Sequence, residues 1–375
     1  MIDNKIVVFF KESKNNGCNF YRILQPAMKL AEKGRIIAAP SSQLQNDQER
    51  EIWFEQADIV VTQQTSEPLL EVMKENRTKK RFVIDWDDNI FDVSPYNPAY
   101  ESCGYKDVEV TLSGQRRFLW KDGEQGFSVA KNRERLQTFA KCLSLASLVT
   151  CPSPILSGKF KQLNKSTKVI KNFLDFSVWQ PLELPKTDKI RIGWQGGHSH
   201  FEDWHVVKEA MKIILDKNKN VELVIMGSHF LGATKEFNLS QVKTEPWVDI
   251  MAYPHKFKTL NLDIGIAPLK NDLFNTAKSE LKWTEYSALG IPAVCSNIPP
   301  YMLNVRDGET GFLCGSVEEW VIVLQKLIND KELRQRIGKQ AMKHVREHYD
   351  IEKNIEEYEN LYLSLTGMRK ELILN

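Results

Sequence analysis

Short apolar runs rich in β-branched residues recur along the chain and alternate with segments whose apolar residues have helical spacing. This alternation predicts α/β units with parallel sheets. Ten strands are predicted, six in the first half and four in the second: Ile6–Phe10, Ile36–Ala39, Asp58–Val61, Arg81–Ile84, Leu148–Cys151, Lys168–Ile170, Ile190–Gly193, Val221–Met226, Leu262–Ala267 and Pro292–Ser296. The polar segment 173–189 separates the two sets and is predicted to be an interdomain linker.

The domain organisation follows from this pattern and from the length of 375 residues, which suits two domains at roughly 100–200 residues per domain. We predict a first Rossmann-like domain over 1–172, with a long loop at 96–135, and a second over 190–349. A last helix over 350–375 is expected to pack back on the first domain. Two such parallel sheets are expected to face each other across a cleft, with ligands at the carboxyl ends of their strands.

The composition fits a globular protein, because 42 % of the residues are apolar and 27 % are charged. The formal net charge is only +2, so nucleic acid is not the favoured partner. The six cysteines form no C-x-x-C pair, which favours a reducing compartment. The start of the chain lacks the pattern of a signal peptide, and no apolar stretch approaches the ~18 residues of a membrane span. We therefore expect a cytoplasmic protein, at most peripheral to a membrane.

The strongest candidate for chemistry is the segment Asn275–Val294. The start of its predicted helix carries Lys278, Ser279 and Lys282. Exposed amides, a hydroxyl and two ammonium groups at a helix N-terminus suit a diphosphate. Glu285 lies two turns beyond Lys278 on roughly the same face, where a carboxylate could accept hydrogen bonds from ribose hydroxyls. The alternative is an ordinary surface helix with Lys–Glu pairs.

A glycine-rich turn follows the first strand of the second domain. Gly196 and Gly197 allow a backbone to approach a phosphate closely, and a helix begins a few residues later. His200 lies in the same turn and is predicted either to line the cleft or to be a structural loop histidine. Met226 and Gly227, at the end of the next strand, are predicted to complete this ligand-binding region, which we call the donor side.

Three carboxylates, Asp85, Asp87 and Asp88, come at the end of a buried-type strand in the first domain. They could bind a divalent cation, orient acceptor hydroxyls or act as a base, and the alternative is a solvated turn. Near the start of the chain, residues 17–22 lie between the first strand and the first helix. There Gly17, Tyr21 and Arg22 could contact the acceptor or a phosphate, although a solvent-facing arginine is an equal alternative.

The segment 96–135 is long, aromatic and basic. A loop of this length in a compact domain is usually functional or disordered. Because aromatic faces stack on sugar rings and on bases, Trp120 is predicted to recognise the acceptor.

Taken in order, these segments resemble glycosyltransferase family four. Residues 285–294, EYSALGIPAV, resemble the donor-binding signature E-A-M-A-x-G-x-P-V-V, and residues 193–203 resemble the turn G-W-x-G-x-x-x-H-x-x-D. The D-x-D-D element at 85–88, residues 171–175 and the turn DGETGFL at 307–313 extend the resemblance. Many members carry an earlier glutamate, and this chain has Ala277 there, which suggests the subgroup written N-x-x-K-S-x-L-K-x-x-E-Y.

The resemblance implies a GT-B enzyme, a hexosyl or pentosyl transferase that acts with retention of anomeric configuration. The donor would be a nucleoside diphosphate sugar, with a UDP-sugar favoured, bound by the second domain. Lys278 and Lys282 would stabilise the leaving diphosphate, and Asp87 and Asp88 would lie at the reacting centre on the acceptor side. GT-B enzymes generally hold the diphosphate with amides and basic side chains, so we expect no metal and no separate cofactor.

Two other functions remain open at this point. A nucleotide-sugar epimerase of the same fold would need paired acid and base residues, and a non-catalytic module that binds sugar or nucleic acid would lack turnover. The favoured acceptor is a glycan or a lipid-linked glycan, with a protein or a modified nucleic-acid base as alternatives. The sequence leaves open the sugar, the base, the acceptor and the oligomeric state.

Overall fold

The computed structural model of the chain describes residues 5–12, 16–112, 114–185, 187–227 and 237–367. Contacts divide the chain into two compact units, each made of segments that are not contiguous in sequence. Unit 1 comprises Met1–Asp88, Arg133–Asp175 and Tyr349–Asn375, and unit 2 comprises Asn89–Asn132 and Phe176–His348.

The chain contains fourteen strands within the described residues. They are β1 (Val7–Lys11), β2 (Ile37–Pro40), β3 (Ile59–Thr62), β4 (Arg81–Asp85), β5 (Val108–Leu112), β6 (Gln115–Trp120), β7 (Leu148–Cys151), β8 (Thr167–Val169), β9 (Ile190–Gln195), β10 (Val221–Met226), β11 (Val242–Glu245), β12 (Ile264–Ala267), β13 (Ala293–Ser296) and β14 (Phe312–Cys314). All ten predicted strands have counterparts, and β5, β6, β11 and β14 are additions.

The described α-helices number thirteen. They are α1 (Gly17–Asn19), α2 (Gln25–Lys33), α3 (Asp47–Gln56), α4 (Glu67–Asn76), α5 (Tyr100–Cys103), α6 (Val129–Leu145), α7 (Pro154–Phe160), α8 (Phe201–Lys217), α9 (Tyr253–Thr259), α10 (Leu281–Ala288), α11 (Val317–Asn329), α12 (Lys331–His348) and α13 (Ile351–Leu365). A π-helical turn, Phe20–Leu24, joins α1 to α2. No helix among those described is long and apolar enough to cross a membrane.

Unit 1 contains a six-stranded parallel sheet in the order β2-β1-β3-β4-β7-β8. Its central strands are apolar on both faces because helices cover both sides. One of these helices is α13, whose Ile351, Ile355, Tyr358 and Tyr362 are buried in the core. Main-chain hydrogen bonds also connect the start of α13 to unit 1. The Leu174 amide donates to the Tyr349 carbonyl, and the Ile351 amide donates to the Leu174 carbonyl. The final helix therefore lies on unit 1.

Unit 2 contains a second six-stranded parallel sheet, in the order β11-β10-β9-β12-β13-β14. Its core packs α8 and α11 on one side of the sheet, with Trp204, Met211, Trp320 and Leu324 fully buried. The Ser316 hydroxyl caps α11 by accepting from the Glu319 amide at 3.2 Å. The predicted GT-B fold class, two parallel-sheet α/β domains, is confirmed.

The segment predicted as a long loop of the first domain belongs to unit 2 instead. Asn89–Asn132, here called the insert, contains α5 and the antiparallel hairpin β5–β6. Its residues Val93, Tyr100 and Phe127 form a buried aromatic cluster with Phe274 of unit 2. The correction has a simple physical reason, because these apolar side chains pack against a residue that lies about 150 to 180 positions later in the chain.

The predicted linker 173–189 is likewise divided between the units. Phe173 and Leu174 are buried in unit 1, whereas Trp179 packs edge-on against Tyr253 and Phe257 of unit 2. The exposed polar part, in which residue 186 lies outside the described residues, is therefore shorter than the sequence predicts.

Candidate functional site

The carboxyl ends of β9 and β10 meet at two glycines. The Gly196 amide donates to the Met226 carbonyl at 3.1 Å, and the Gly227 amide donates to the Glu245 carbonyl at 3.0 Å. Gly227 has φ +147°, and a Cβ there would lie 2.2 Å from the Gly196 carbonyl oxygen. Only glycine fits this contact. Gly197 is different, since a Cβ on it would meet nothing within 4 Å, so space adjoins the backbone before α8.

His200 and Asp203 form a pair at the start of α8. The His200 Nδ1 lies 2.6 Å from Asp203 Oδ2, and Asp203 Oδ1 accepts from the Asn275 side chain at 2.8 Å and the Lys270 amide at 2.7 Å. Burial and the nearby Lys282 lower the pKa of His200 to about 4, against the opposing effect of Asp203. Burial raises the pKa of Asp203, but the hydrogen bond with His200, the charge of Lys282 and the Lys270 amide together outweigh this effect, and the net shift is downward. At neutral pH the imidazole is uncharged, donates from Nδ1, and presents Nε2 as an acceptor.

Lys282 lies in the first turn of α10, as predicted, but its ammonium is buried. Within the parts of the chain that the structure describes, its Nζ has no hydrogen-bond partner, and it lies 5.7 Å from the ring centroid of Trp194. Burial lowers the pKa of Lys282 to about 8, an effect that Asp203 opposes and Lys278 increases. A buried ammonium without a hydrogen-bond acceptor is costly, so this atom is suited to receive an anion.

Lys278 and Ser279 lie just before α10 and are half-buried. The Lys278 ammonium lies 4.5 Å from the ring centroid of Phe274. Both lysines lower the pKa of His200 electrostatically. The structure therefore brings Lys278, Lys282 and His200 into one positively charged site, which the sequence placed on two separate segments.

Glu285 is buried on α10 and is held from two sides. It accepts from the Tyr253 hydroxyl at 2.9 Å and from the Gln195 side chain at 3.3 Å. Trp247 stacks on Tyr253, with ring centroids 5.4 Å apart and an interplanar angle of 28°, and 47 % of its surface is exposed. Glu285 is thus linked through Tyr253 to an open aromatic face.

Sequence reasoning missed Gln195, Tyr253 and Trp247, and it gave no separate role to Asn275, the first residue of the N-x-x-K-S-x-L-K-x-x-E-Y pattern. Gln195 occupies the last position of a strand, directly before the glycine turn, and this position is a usable signal. Tyr253 and Trp247 lie outside the recognised motifs, and only the folded chain brings them to the site.

In unit 1, Arg22 and Asp85, both predicted on the acceptor side, pair with each other. They form a buried bidentate ion pair, with Nε–Oδ1 3.0 Å and Nη2–Oδ2 2.6 Å. Asp85 also accepts from Gln63 and Thr150, and Arg22 donates to the Ile170 carbonyl and to Asn172. These contacts use the guanidinium and the carboxylate for the fold, because buried charges need paired partners.

Asp87 and Asp88 lie beyond this pair and are half-buried. Burial raises the pKa of Asp87 to about 6, the Asp88 charge adds to the shift, and a hydrogen bond from Cys18 opposes it. Gly17 begins α1, which the Asn16 side chain caps at 2.9 Å, and the hydrogen bond from the next residue, Cys18, brings this turn beside Asp87. In the described ranges, no group of three or more histidine, cysteine or acidic side chains could hold a metal ion.

Two more predicted residues have packing roles. Tyr21 is buried, with its ring edge-on to Phe20. Trp120 packs against Tyr100 and Phe127 of the insert, and its indole donates to the Pro95 carbonyl at 2.6 Å. The predicted role of Trp120 at an acceptor stays a prediction, but the residue lies in unit 2 and not in the first domain.

Unit 1 also has a cavity of about 760 Å³ beside the carboxyl ends of β1 and β2. Its lining combines Phe9 and Phe54 with Ser41, Lys11 and Arg50. An aromatic wall with hydroxyl and charged groups can accommodate a hydroxylated ligand.

Residues 281–344, which contain α10, match the protein family described as glycosyl transferases group 1. The chain is 26 % identical over 181 residues to the capsular polysaccharide biosynthesis glycosyltransferase CapM of Staphylococcus aureus, covering 47 % of this chain and 46 % of that protein. It is 23 % identical over 233 residues to the N-acetyl-alpha-D-glucosaminyl L-malate synthase of Bacillus anthracis, covering 58 % and 59 %. The chain thus spans about half the length of these curated relatives.

The fold is similar to that of Alr3699/HepE from Anabaena, solved in complex with UDP. The TM-score is 0.61 at 17 % identity, over 96 % of this chain and 99 % of that one. The predicted resemblance to glycosyltransferases is confirmed by the family match and the named relatives, and the structural similarity supports the fold.

Proposed function

We propose that the chain is a glycosyltransferase that moves a sugar from a nucleoside diphosphate sugar, with a UDP-sugar favoured, to an acceptor hydroxyl. The observation that carries the proposal is the buried ammonium of Lys282, which lies within the residues matching the glycosyltransferase family and lacks a hydrogen-bond partner in the described structure. The anion it would receive is the diphosphate of the donor. The UDP bound by the structurally similar Anabaena protein supports this choice of nucleotide.

The remaining parts of a nucleotide correspond to neighbouring residues of unit 2. Lys278, Ser279 and the N-terminus of α10 add charge, a hydroxyl and amide donors for the phosphates. Glu285, fixed by Tyr253 and Gln195, can accept from ribose hydroxyls. Trp247 offers its open face to the base.

Catalysis would come chiefly from stabilising the negative charge that develops on the leaving diphosphate. Preorganised donors in a water-poor site are effective here because they do not have to reorient during the reaction. The two lysines supply this charge without a divalent metal or a separate cofactor. His200 is neutral and presents Nε2 as an acceptor, which suits a hydroxyl of the sugar. Retention of anomeric configuration is proposed from the resemblance to glycosyltransferase family four.

Unit 1 would bind the acceptor. Asp87, with a pKa raised to about 6, can accept a hydrogen bond from an acceptor hydroxyl or take its proton near neutral pH. The cavity of about 760 Å³ in the same unit has room for a hydroxylated molecule, in agreement with a glycan or lipid-linked glycan acceptor. We place the enzyme in the cytoplasm, where nucleotide sugars are available.

The test of the proposal is nucleotide binding by wild type and by Lys278→Ala. Wild type is expected to bind UDP, and the variant to bind it about 10–100-fold more weakly, because a charge-assisted contact to phosphate contributes about 1.5–3 kcal/mol. Isothermal titration calorimetry with UDP, ADP and GDP measures both affinity and base preference.

A matched control is Lys217→Ala, which removes an exposed lysine from the last turn of α8. It should bind UDP as wild type does. The proposal is wrong if wild type binds none of the three nucleotides, and the phosphate assignment is wrong if a folded Lys278→Ala protein keeps full affinity.

Replacing the open aromatic face should weaken binding of the base. Trp247→Leu is expected to lower UDP affinity by about 5–100-fold, since stacking of a base on an aromatic side chain contributes about 1–3 kcal/mol. UDP is expected to quench tryptophan fluorescence in the wild type, and the quenching should be smaller in Trp247→Leu. Trp247→Phe, which keeps a ring over Tyr253, should retain most of the affinity, and equal affinity of all three proteins would exclude this stacking.

Removal of divalent metal should leave donor binding intact. In the presence of EDTA, wild type is expected to keep its UDP affinity and its transfer rate, because Lys278 and Lys282 balance the diphosphate charge. Loss of binding that magnesium or manganese restores would contradict this and would make the carboxylates of unit 1 or the donor itself a metal site.

A further inference from the structure

The insert is attached to the donor side of unit 2 at three separate points. The first is a hydrogen bond of 2.9 Å from the buried Asn89 side chain to the Leu273 carbonyl. The second is the buried contact of Val93, Tyr100 and Phe127 with the Phe274 ring. The third is the hydrogen bond from the Ser94 hydroxyl to Glu202, which also pairs with Lys270.

Each attachment adjoins a residue of the candidate donor site. Phe274 directly precedes the 3₁₀ turn Asn275–Ala277, and its ring lies 4.5 Å from the Lys278 ammonium. Glu202 is the neighbour of Asp203, which holds His200 and Asn275. The insert therefore contacts the loop between β12 and α10 at Leu273 and Phe274, next to Lys278.

From these contacts, we infer that the insert positions the diphosphate-binding loop, with Phe127 and Phe274 as positioning residues for Lys278. The inference rests on the proposed function and assigns the insert to the donor instead of the acceptor. Neither aromatic residue needs to contact the ligand. Phe274 fixes the backbone of the loop by its burial and keeps the Lys278 ammonium over its ring. Phe127 packs against Phe274 and so keeps that ring in place.

The alternative is that the aromatic cluster serves stability alone. If the cluster has a purely structural role, its substitution should lower the melting temperature without a selective loss of affinity for the phosphate-bearing ligand. A positioning role instead predicts a selective effect, because Lys278 can contact a phosphate and cannot affect a nucleoside that has none. The affinity for UDP should fall while the affinity for uridine stays unchanged.

The experiment compares Phe127→Leu and Phe274→Leu with Phe118→Leu as the matched control. Phe118 is 45 % exposed on the hairpin of the same insert and lies outside the aromatic cluster. Affinities for UDP are measured by calorimetry and for uridine by ligand-observed NMR. Hydrogen exchange of the peptide spanning residues 270–280 is followed by mass spectrometry in the nucleotide-free protein.

Both cluster variants are expected to bind UDP about 3–30-fold more weakly, to bind uridine as wild type does, and to exchange faster over 270–280. Phe118→Leu should match wild type in all three. Phe274→Tyr, which keeps a ring below Lys278, should recover most of the UDP affinity. If Phe127→Leu fails to fold, Ser94→Ala tests the third attachment by the same measurements.

Unchanged UDP affinity and unchanged exchange in a folded Phe127→Leu protein would overturn the inference, as would equal losses of UDP and uridine binding. If wild type itself binds no UDP, the proposed nucleotide function fails, and the exchange comparison alone decides whether the insert holds the loop. The two failures are therefore distinguishable.

Discussion

Lys282→Met should abolish most donor binding and transfer while leaving the protein at least as stable as wild type. The ammonium of Lys282 is buried, and no acceptor satisfies it in the described structure. Methionine has a similar shape without the charge, so the desolvation cost disappears. We expect the free energy of unfolding to rise by about 1–3 kcal/mol at pH 7 and UDP affinity to fall at least about 10–100-fold.

The pH dependence of these two effects follows from the pKa of Lys282, which burial lowers from 10.5 to about 8. Because the unfolded chain holds this proton more tightly, the charge destabilises the folded state fully below pH 8. This loss of folding free energy becomes smaller as the pH rises above 8 and is absent above 10.5, the pKa of Lys282 in the unfolded chain. UDP affinity should show the opposite trend and decrease above pH 8, where the free protein loses the ammonium.

Both dependences should be absent in Lys282→Met. Calorimetry at pH 7 and pH 9 and urea unfolding at the same values provide the measurement, with the exposed Lys326→Met as the control. If Lys282→Met binds UDP normally, or if it unfolds more easily than wild type, the buried ammonium does not serve as an anion site.

Arg22→Leu should be among the most destabilising substitutions in unit 1, although it changes a residue next to the candidate reacting centre. Its guanidinium forms the bidentate pair with Asp85, and its loss leaves a buried carboxylate without its counter-charge. Breaking a buried pair from one side costs about 3–5 kcal/mol. Urea unfolding followed by circular dichroism gives the free energy of unfolding.

The double variant Arg22→Leu/Asp85→Leu provides the comparison that separates structure from binding. Removing both charges should recover a large part of the lost stability, because no uncompensated carboxylate remains. If Arg22→Leu is as stable as wild type but transfers poorly, the arginine contacts a ligand after all, as the sequence alone allowed.

The regular part of the fold could be predicted because its signals are local. Buried parallel strands are continuous apolar runs, and helix ends are marked by residues such as Ser316, whose hydroxyl caps α11, and Gly290, whose φ of +71° follows the end of α10. Edge strands β11 and β14 gave no such signal, since β11 is partly polar and β14 has only three residues. The insert was assigned to the wrong unit because its packing partner, Phe274, lies far away in sequence.

The same distinction explains the site. Lys278, Lys282 and Glu285 share one helix start, so spacing alone related them to each other. The pairing of Arg22 with Asp85 joins residues 63 positions apart, and the Tyr253–Glu285 contact depends on how α9 packs, which no pattern in either segment indicates. The chemical groups of the site could therefore be predicted from the sequence, but not that the charges of Arg22 and Asp85 are paired with each other.

The place of α13 in unit 1 has a consequence for how the protein is made. Ile351, Ile355, Tyr358 and Tyr362 complete a core whose other residues come from the first half of the chain. A ribosome adding roughly 5–20 residues per second needs on the order of ten seconds or more to translate the part between Asp175 and α13. During that interval the first sheet lacks one of its covering helices, while the larger segment of unit 2, Phe176–His348, emerges. Unit 2 can thus finish folding first, although unit 1 begins the chain, and the nascent first sheet is the state that a chaperone would have to protect.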